Sequence, residues 1–215
     1  CKMSGWEYAY GMLETHFRMH KDIASLINPA YGNKLTIGAE RQQSKQVSEP
    51  LTTLSDFPSS RAVFWNSPRA TTPKQHRVEA ERVRELTMAI YEHYNSGFTA
   101  DTLGIVTPWR AQVVLIKSLL PESLREQVLV DTVERFQGSE KDIIIISTAL
   151  NSPAQLQALQ SIDTQTGIDR KLIVALSRAR EQVILLGVKE ILESTPEYKA
   201  IISLISQHGG VVEIK

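Results

Sequence analysis

The 215-residue sequence holds a single cysteine, Cys1. One thiol cannot close an internal disulfide, so nothing in the chain asks for an oxidising compartment. No run approaches the ~18 apolar residues of a membrane span, and no charged head, apolar stretch and small-residue cleavage site opens the chain. An excess of either charge is also missing: Lys plus Arg and Asp plus Glu each number 24. That excludes a uniformly basic coat, although a local basic groove remains open. Glycine is scarce, at 11 residues, and none forms the G-x-x-x-x-G-K-[ST] loop that cradles phosphates. The one Lys-Ser pair, Lys117-Ser118, follows Ile116. A nucleophile elbow and an Asp-Glu pair closing a strand are absent as well. The chain opens on Cys1 and is read as a piece of a longer protein.

What is present is an ordinary globular composition, 42% hydrophobic and 22% charged, enough to bury a core. Residues 1–12 lack a period and read as the tail of a preceding segment. Apolar spacing predicts a helix over 20–31, closed by Asn28-Pro29. Residues 36–60 and 151–169 are polar and read as surface insertions, the second holding a short helix begun by Pro153. Strands are expected at 61–66, 102–106, 127–131, 142–148 and 182–187, with an edge strand at 211–215. Helices are expected at 76–96, from Pro108 to 120, and at 171–178, 189–194 and 197–207. The run Ile143–Ile146 carries no alternation, the mark of a parallel strand covered on both faces. Strands alternating with helices predict an α/β fold: one open parallel sheet with helices on both faces. Ligands are then expected at the carboxyl ends of strands.

Four segments carry candidate chemistry. In T-H-F-R-M-H, His16 and His20 are four apart, the spacing of one helix face. A zinc-protease helix needs Glu after the first His, where Phe17 stands, so metal is disfavoured. The lone Arg18, between Phe17 and Met19, suits a phosphate. In T-P-W-R-A-Q, Thr107 and Pro108 open a helix at a strand end, with Trp109 as a stacking face. The same residues also read as an N-cap, a first-turn proline and a core tryptophan. In D-T-V-E-R-F-Q-G-S-E-K-D, Gly138 permits a left-handed turn among Thr132, Gln137 and Glu140, all expected at the carboxyl edge. In L-I-V-A-L-S-R-A-R, Arg178 and Arg180 close a helix, where cations also simply suit the dipole.

In this order the four segments resemble the second RecA-like domain of superfamily 1 helicases, in the Upf-one/Dna-two-like branch. That branch runs Q-Y-R-M-H-P, T-P-Y-x-x-Q, T-V-x-x-F-Q-G-x-E and V-A-L-[ST]-R-A-R. The likeness covers residues 13–187, and 13–215 is read as one such domain. It implies a RecA-like, P-loop NTPase-type fold that lacks the phosphate-binding loop. Arg18 and Arg178 match arginines that reach the nucleotide γ-phosphate. Glu140, with Gly138 and Gln137 around it, matches the carboxylate that binds the nucleotide sugar. Thr132, Thr107 and Pro108 match the nucleic-acid track, and Arg180 an ion pair supporting the loop. Lys21, Phe17, Trp109 and Ile173 depart from the branch, which usually has Pro, Tyr, Tyr and Asn there.

The resemblance implies an ATP-dependent DNA or RNA helicase acting on a single strand inside the cell, cytoplasmic, nuclear or nucleoid. ATP and Mg2+ would be bound mainly by an N-terminal RecA-like partner domain, leaving this piece alone inactive. The alternative is a solitary, non-catalytic helicase-like module that binds nucleic acid or a protein. No membrane partner is expected.

Overall fold

Four consecutive isoleucines have no polar face to offer water, and in the computed structural model they receive two covers. Residues 14–43, 57–136, 138–163 and 169–213 are described. In chain order the elements are β1 (Thr15–His16), α1 (Lys21–Ile27), β2 (Thr36–Ile37), β3 (Ala62–Asn66), α2 (Arg77–Tyr94), β4 (Leu103–Val106), α3 (Arg110–Leu119) and α4 (Glu122–Arg125). They continue as β5 (Leu129–Asp131), β6 (Lys141–Ser147), α5 (Pro153–Leu159), α6 (Arg170–Leu176), β7 (Ala179–Gly187), α7 (Lys189–Leu192), α8 (Pro196–Gln207) and β8 (Val211–Val212).

Six strands form one sheet in the order β5-β4-β6-β7-β3-β8, and every neighbouring pair is parallel. The pair β1–β2 forms a separate parallel ribbon. Along β6 the pleat divides the isoleucines. Ile144 and Ile146 pack with α1 and α5 to α8, while Ile143 and Ile145 pack with α2, α3 and α4. Each buried side chain of this size stabilises the fold by about 1.5–3 kcal/mol, so the central strand binds the two layers together.

Local chemistry sets the helix ends. Lys21–Ile27 is α-helical, and Asn28–Tyr31 then tightens into a 3-10 turn at Pro29, ending at Gly32 with φ 62°. The expected helix over 20–31 is therefore two pieces. Ser152 caps α5 by accepting from the Gln155 N–H, and Asp169 caps α6 by accepting from the Lys171 N–H. Pro108 does not sit in the first turn of α3. That helix starts at Arg110 with Trp109 as its cap residue, so Thr107 is not the cap either. Strand β7 begins at Ala179, earlier than the expected 182. Of the segment at 36–60, the described part holds β2 and a 3-10 turn at Glu40–Gln43. The tail at 1–12 lies outside the described residues.

Candidate functional site

Because the sheet is wholly parallel, it has one amino edge and one carboxyl edge, and the polar residues gather at both. Glu140 immediately precedes β6 and Arg178 immediately precedes β7, with Lys141 and Ala179 in register. Both therefore stand at the amino edge, not at the carboxyl edge expected for Glu140. The segment after β5 explains the difference. It leaves the carboxyl edge at Thr132, turns through a 3-10 helix at Val133–Phe136 and arrives at the opposite edge as Glu140.

At the amino edge, the Arg18 Nε donates to Glu140 Oε2 at 2.5 Å and its Nη1 donates to the Ser177 carbonyl at 3.2 Å. Arg180 Nη1 donates to the other Glu140 oxygen at 3.3 Å, and its Nε to Asp142 Oδ1 at 2.8 Å. The backbone joins the same parts: the His20 N–H donates to the Arg180 carbonyl and the Lys141 N–H to the Arg178 carbonyl. Arg178 donates to the Ser139 carbonyl at 3.3 Å, while its Nε is buried without a partner. Three guanidiniums thus face two carboxylates.

Electrostatics follow from that count. The Arg18 hydrogen bond, with the charges of Arg18 and Arg180, holds the Glu140 carboxyl below its ordinary value despite partial burial. Burial and the like charge of Arg18 both lower Arg178, against the pull of Glu140. A cationic cluster with an unpartnered N–H suits an anion with several oxygens. Gly138 adopts φ 86°, the left-handed turn expected of it, with open space around it. Gln137 lies outside the described residues.

Two parts of the first segment differ from expectation. Residues 15–16 are strand, not helix, so His16 and His20 share no helix face. His16 Nδ1 pairs with Gln42 Nε2 at 3.0 Å, and His20 caps α1 by accepting from the Asp22 N–H. Of the two apolar flanks of Arg18, Met19 is buried, but Phe17 is 62% exposed. Its ring lies where a side chain at position 38 would stand: a Cβ on Gly38 would fall 2.3 Å from the ring. An exposed aromatic beside Arg18 was not read from the sequence; its signal is Gly38, directly after the Thr36–Ile37 pairing.

The carboxyl edge is built differently. Thr132 is half-buried and its N–H donates to Asp131 Oδ1 at 2.8 Å. Pro108 is half-buried. Thr107 is fully buried and its hydroxyl has no partner, so its side chain does not reach the surface. Beneath this edge lies a network not anticipated from the sequence. Glu79 is wholly buried and accepts from Ser67 at 2.9 Å, Ser147 at 2.7 Å and the Ala149 N–H at 3.0 Å. Burial raises its pKa, and nearby His76 and these donors only oppose the shift. Gln112 locks α3 to the start of α2: its Oε1 accepts from the His76 N–H at 2.8 Å, and its Nε2 donates to the His76 carbonyl and to Ser147 Oγ at 3.1 Å each. His76 Nδ1 accepts from the Glu79 N–H, so Nε2 carries the proton that it donates to the Pro68 carbonyl.

An open, all-parallel sheet with helices on both faces and a guanidinium cluster at one edge defines a RecA-like α/β domain. The chain belongs to the AAA domain family AAA_12, which matches residues 2–190. Within it, the chain is a C-terminal RecA-like domain of the superfamily 1 helicase type, in the Upf-one/Dna-two-like branch. It is 25% identical over 96% of its length to the DNA replication ATP-dependent helicase/nuclease JHS1 of Arabidopsis thaliana, of which it spans 16%. It is 26% identical over 93% of its length to DNA2 of Saccharomyces cerevisiae, of which it spans 14%. To the regulator of nonsense transcripts 1 homolog of Arabidopsis thaliana it is 28% identical over 94% of its length, spanning 16% of that protein. The fold is shared with the C-terminal domain of a possible DNA helicase from Lactobacillus plantarum WCFS1, at 13% identity and a TM-score of 0.51, covering 93% of this chain and 99% of that one.

Proposed function

We propose that this domain is the second half of an ATP-dependent helicase motor, working on single-stranded DNA or RNA. The observation that carries the reading is the amino-edge cluster, in which Arg18 and Arg178 converge on one small region and Arg178 keeps an unpartnered N–H. ATP is the substrate such a cluster fits: its terminal phosphate offers the oxygens and charge that these guanidiniums lack. An N-terminal RecA-like domain of the same protein would hold most of the nucleotide. Magnesium, bound there, would neutralise phosphate charge.

In this reading Arg18 and Arg178 donate to the γ-phosphate and stabilise the charge that develops as it transfers, a contribution worth roughly 10³–10⁵ in rate. Glu140, paired now with Arg18 and Arg180, receives the nucleotide sugar, with Gly138 and Gln137 shaping its loop. Exchange of Glu140 for phosphate releases Arg18 from its ion pair, and Arg180 keeps the carboxylate in place through Asp142. Exposed Phe17 offers a flat face to a base next to the arginines. Arginines that favour the triphosphate over the diphosphate draw the two domains together in one state and relax them in the other. On the opposite edge, Thr132 and Pro108 lie along the strand's track, and Thr107 supports that track from below. No helix among the described residues is long and apolar enough to cross a membrane, and an intracellular setting fits the substrates proposed.

The test is Arg178→Ala in the full-length protein. ATP hydrolysis should fall by about 10³-fold or more, with single-strand binding retained. Wild-type turnover in that variant overturns the reading, whereas absence of hydrolysis in the full-length wild type favours a non-catalytic binding module. The isolated 215-residue chain should hydrolyse no ATP.

A further inference from the structure

A second cationic group lies on the carboxyl edge, where Lys74, outside the four segments, meets the second of them. Lys74, in the connection between β3 and α2, places its Nζ 5.3 Å from the centre of the Trp109 ring. The two segments are fastened together next to this contact: Gln75 Nε2 donates to the Ala111 carbonyl at 3.4 Å, and His76 and Gln112 exchange two hydrogen bonds. Arg110 follows Trp109 directly. Lys74 and Arg110 are both exposed, and among the described residues neither has a hydrogen-bond or ion-pair partner. Arg77, which opens α2, differs in being paired with Glu81.

Each of these residues stands where local stability would not put it. Lys74 has φ 61°, a left-handed conformation unusual for a residue with a side chain. Arg110 is the first residue of α3, a cation at the positive end of a helix dipole, with no acidic residue in that turn. Trp109 caps the helix without a side-chain hydrogen bond, and its indole N–H is buried with no acceptor. Local rules broken together at one spot mark a functional site more often than chance. Two exposed cations without ion-pair partners, one over an aromatic ring and one on the residue after it, complement an anion on the outside of the molecule. Thr132 and Pro108 stand at ends of the same sheet edge, after β5 and β4.

We propose that Lys74 and Arg110 form a phosphate grip for the single strand, with Trp109 as the platform that holds the Lys74 ammonium in place. This rests on the nucleic-acid reading above and adds Lys74, which lies in none of the four segments, and Arg110, to which the resemblance gave no role. The contact is to the sugar–phosphate backbone, so it serves DNA and RNA without regard to sequence. The buried network fixes its geometry, because the Gln112–His76 exchange sets the distance between the two segments.

The experiment is a salt titration of binding by the full-length protein, from about 50 to about 200 mM, to a labelled oligothymidylate and to an oligouridylate of equal length. Each cation that contacts a phosphate contributes about 0.7 to the slope of log affinity against log salt on a single strand. The double variant Lys74→Ala/Arg110→Ala should lower that slope by about 1.4 on both probes, and Lys74→Arg should restore its share. Trp109→Leu keeps both charges, so it should leave the slope unchanged and weaken binding about two- to fivefold. Lys117→Ala, on the far end of α3, should change neither. An unchanged slope in the double variant, while the wild type binds both probes, overturns the grip and leaves the nucleic-acid reading standing. An equal loss from Lys117→Ala overturns it too, because the attraction is then diffuse. If the wild type binds neither probe, the nucleic-acid reading falls and the grip with it.

Discussion

Glu79 and Glu140 are both glutamates held by hydrogen bonds beside a strand end of the same sheet, and they are opposites in every other respect. Glu140 stands at the amino edge, its side chain 40% exposed, between two guanidiniums that favour its charge. Glu79 lies under the carboxyl edge with no exposure, held by two hydroxyls and one backbone N–H, in surroundings that disfavour its charge. The exposed carboxylate can be exchanged for another anion because solvent and arginines share its cost. The buried one cannot leave, so it fixes the loops above it. One edge is equipped to change partners and the other to hold still.

The largest expected effect that would break this contrast is on stability. Glu79→Ala leaves two hydroxyls and an N–H without an acceptor in a dry site and opens a cavity. It should cost about 2–4 kcal/mol, read from denaturant melts. Glu140→Gln removes a partly exposed ion pair and should cost no more than about 1 kcal/mol. Equal losses from the two would erase the distinction.

The finest test is pH. A carboxyl whose folded pKa is depressed stabilises the fold above its unfolded value, near 4.5, and that contribution is lost as pH falls through the lower folded value. Glu140 therefore contributes to the acid limb below about 4.5, and Glu140→Gln should flatten it. A carboxyl whose folded pKa is raised has the reverse sign. The folded state takes up its proton first, so stability rises as pH falls from the raised value toward 4.5. Glu79→Gln should remove that rise and leave the acid limb alone. Melts of the two variants across pH 3–8 (roughly the span of the carboxyl and histidine ranges) check both signs.

Much of this was legible in the chain. Ile143–Ile146 announced a strand covered twice, because alternation is lost only when both faces are dry. Gly138 announced its left-handed turn, and the order of four motifs announced the domain. The misplaced feature was the edge on which Glu140 stands. A motif is contiguous in sequence, yet residues 132–140 cross from one side of the sheet to the other. The expectation that ligands gather after strands put both ends of the motif together. The Glu79 network was hidden for another reason. Ser67, Glu79, Gln112 and Ser147 come from four separate segments, and no spacing rule joins them. Phe17 was read only as a neighbour of Arg18, because residue type alone does not say which flank faces solvent. Lys74 looked like one loop lysine among many, since positive φ is a property of the backbone and lysine does not advertise it.

The strand order carries a consequence for biosynthesis. Strand β3, apolar along Ala62, Val63, Phe64 and Trp65, has as its two neighbours the late strands β7 and β8. Its first partner emerges over a hundred residues after it, about 5–25 s later at ordinary translation speeds. For that interval an apolar segment whose two sheet partners are not yet made trails from the ribosome, the state in which an unpaired strand is most open to mispairing.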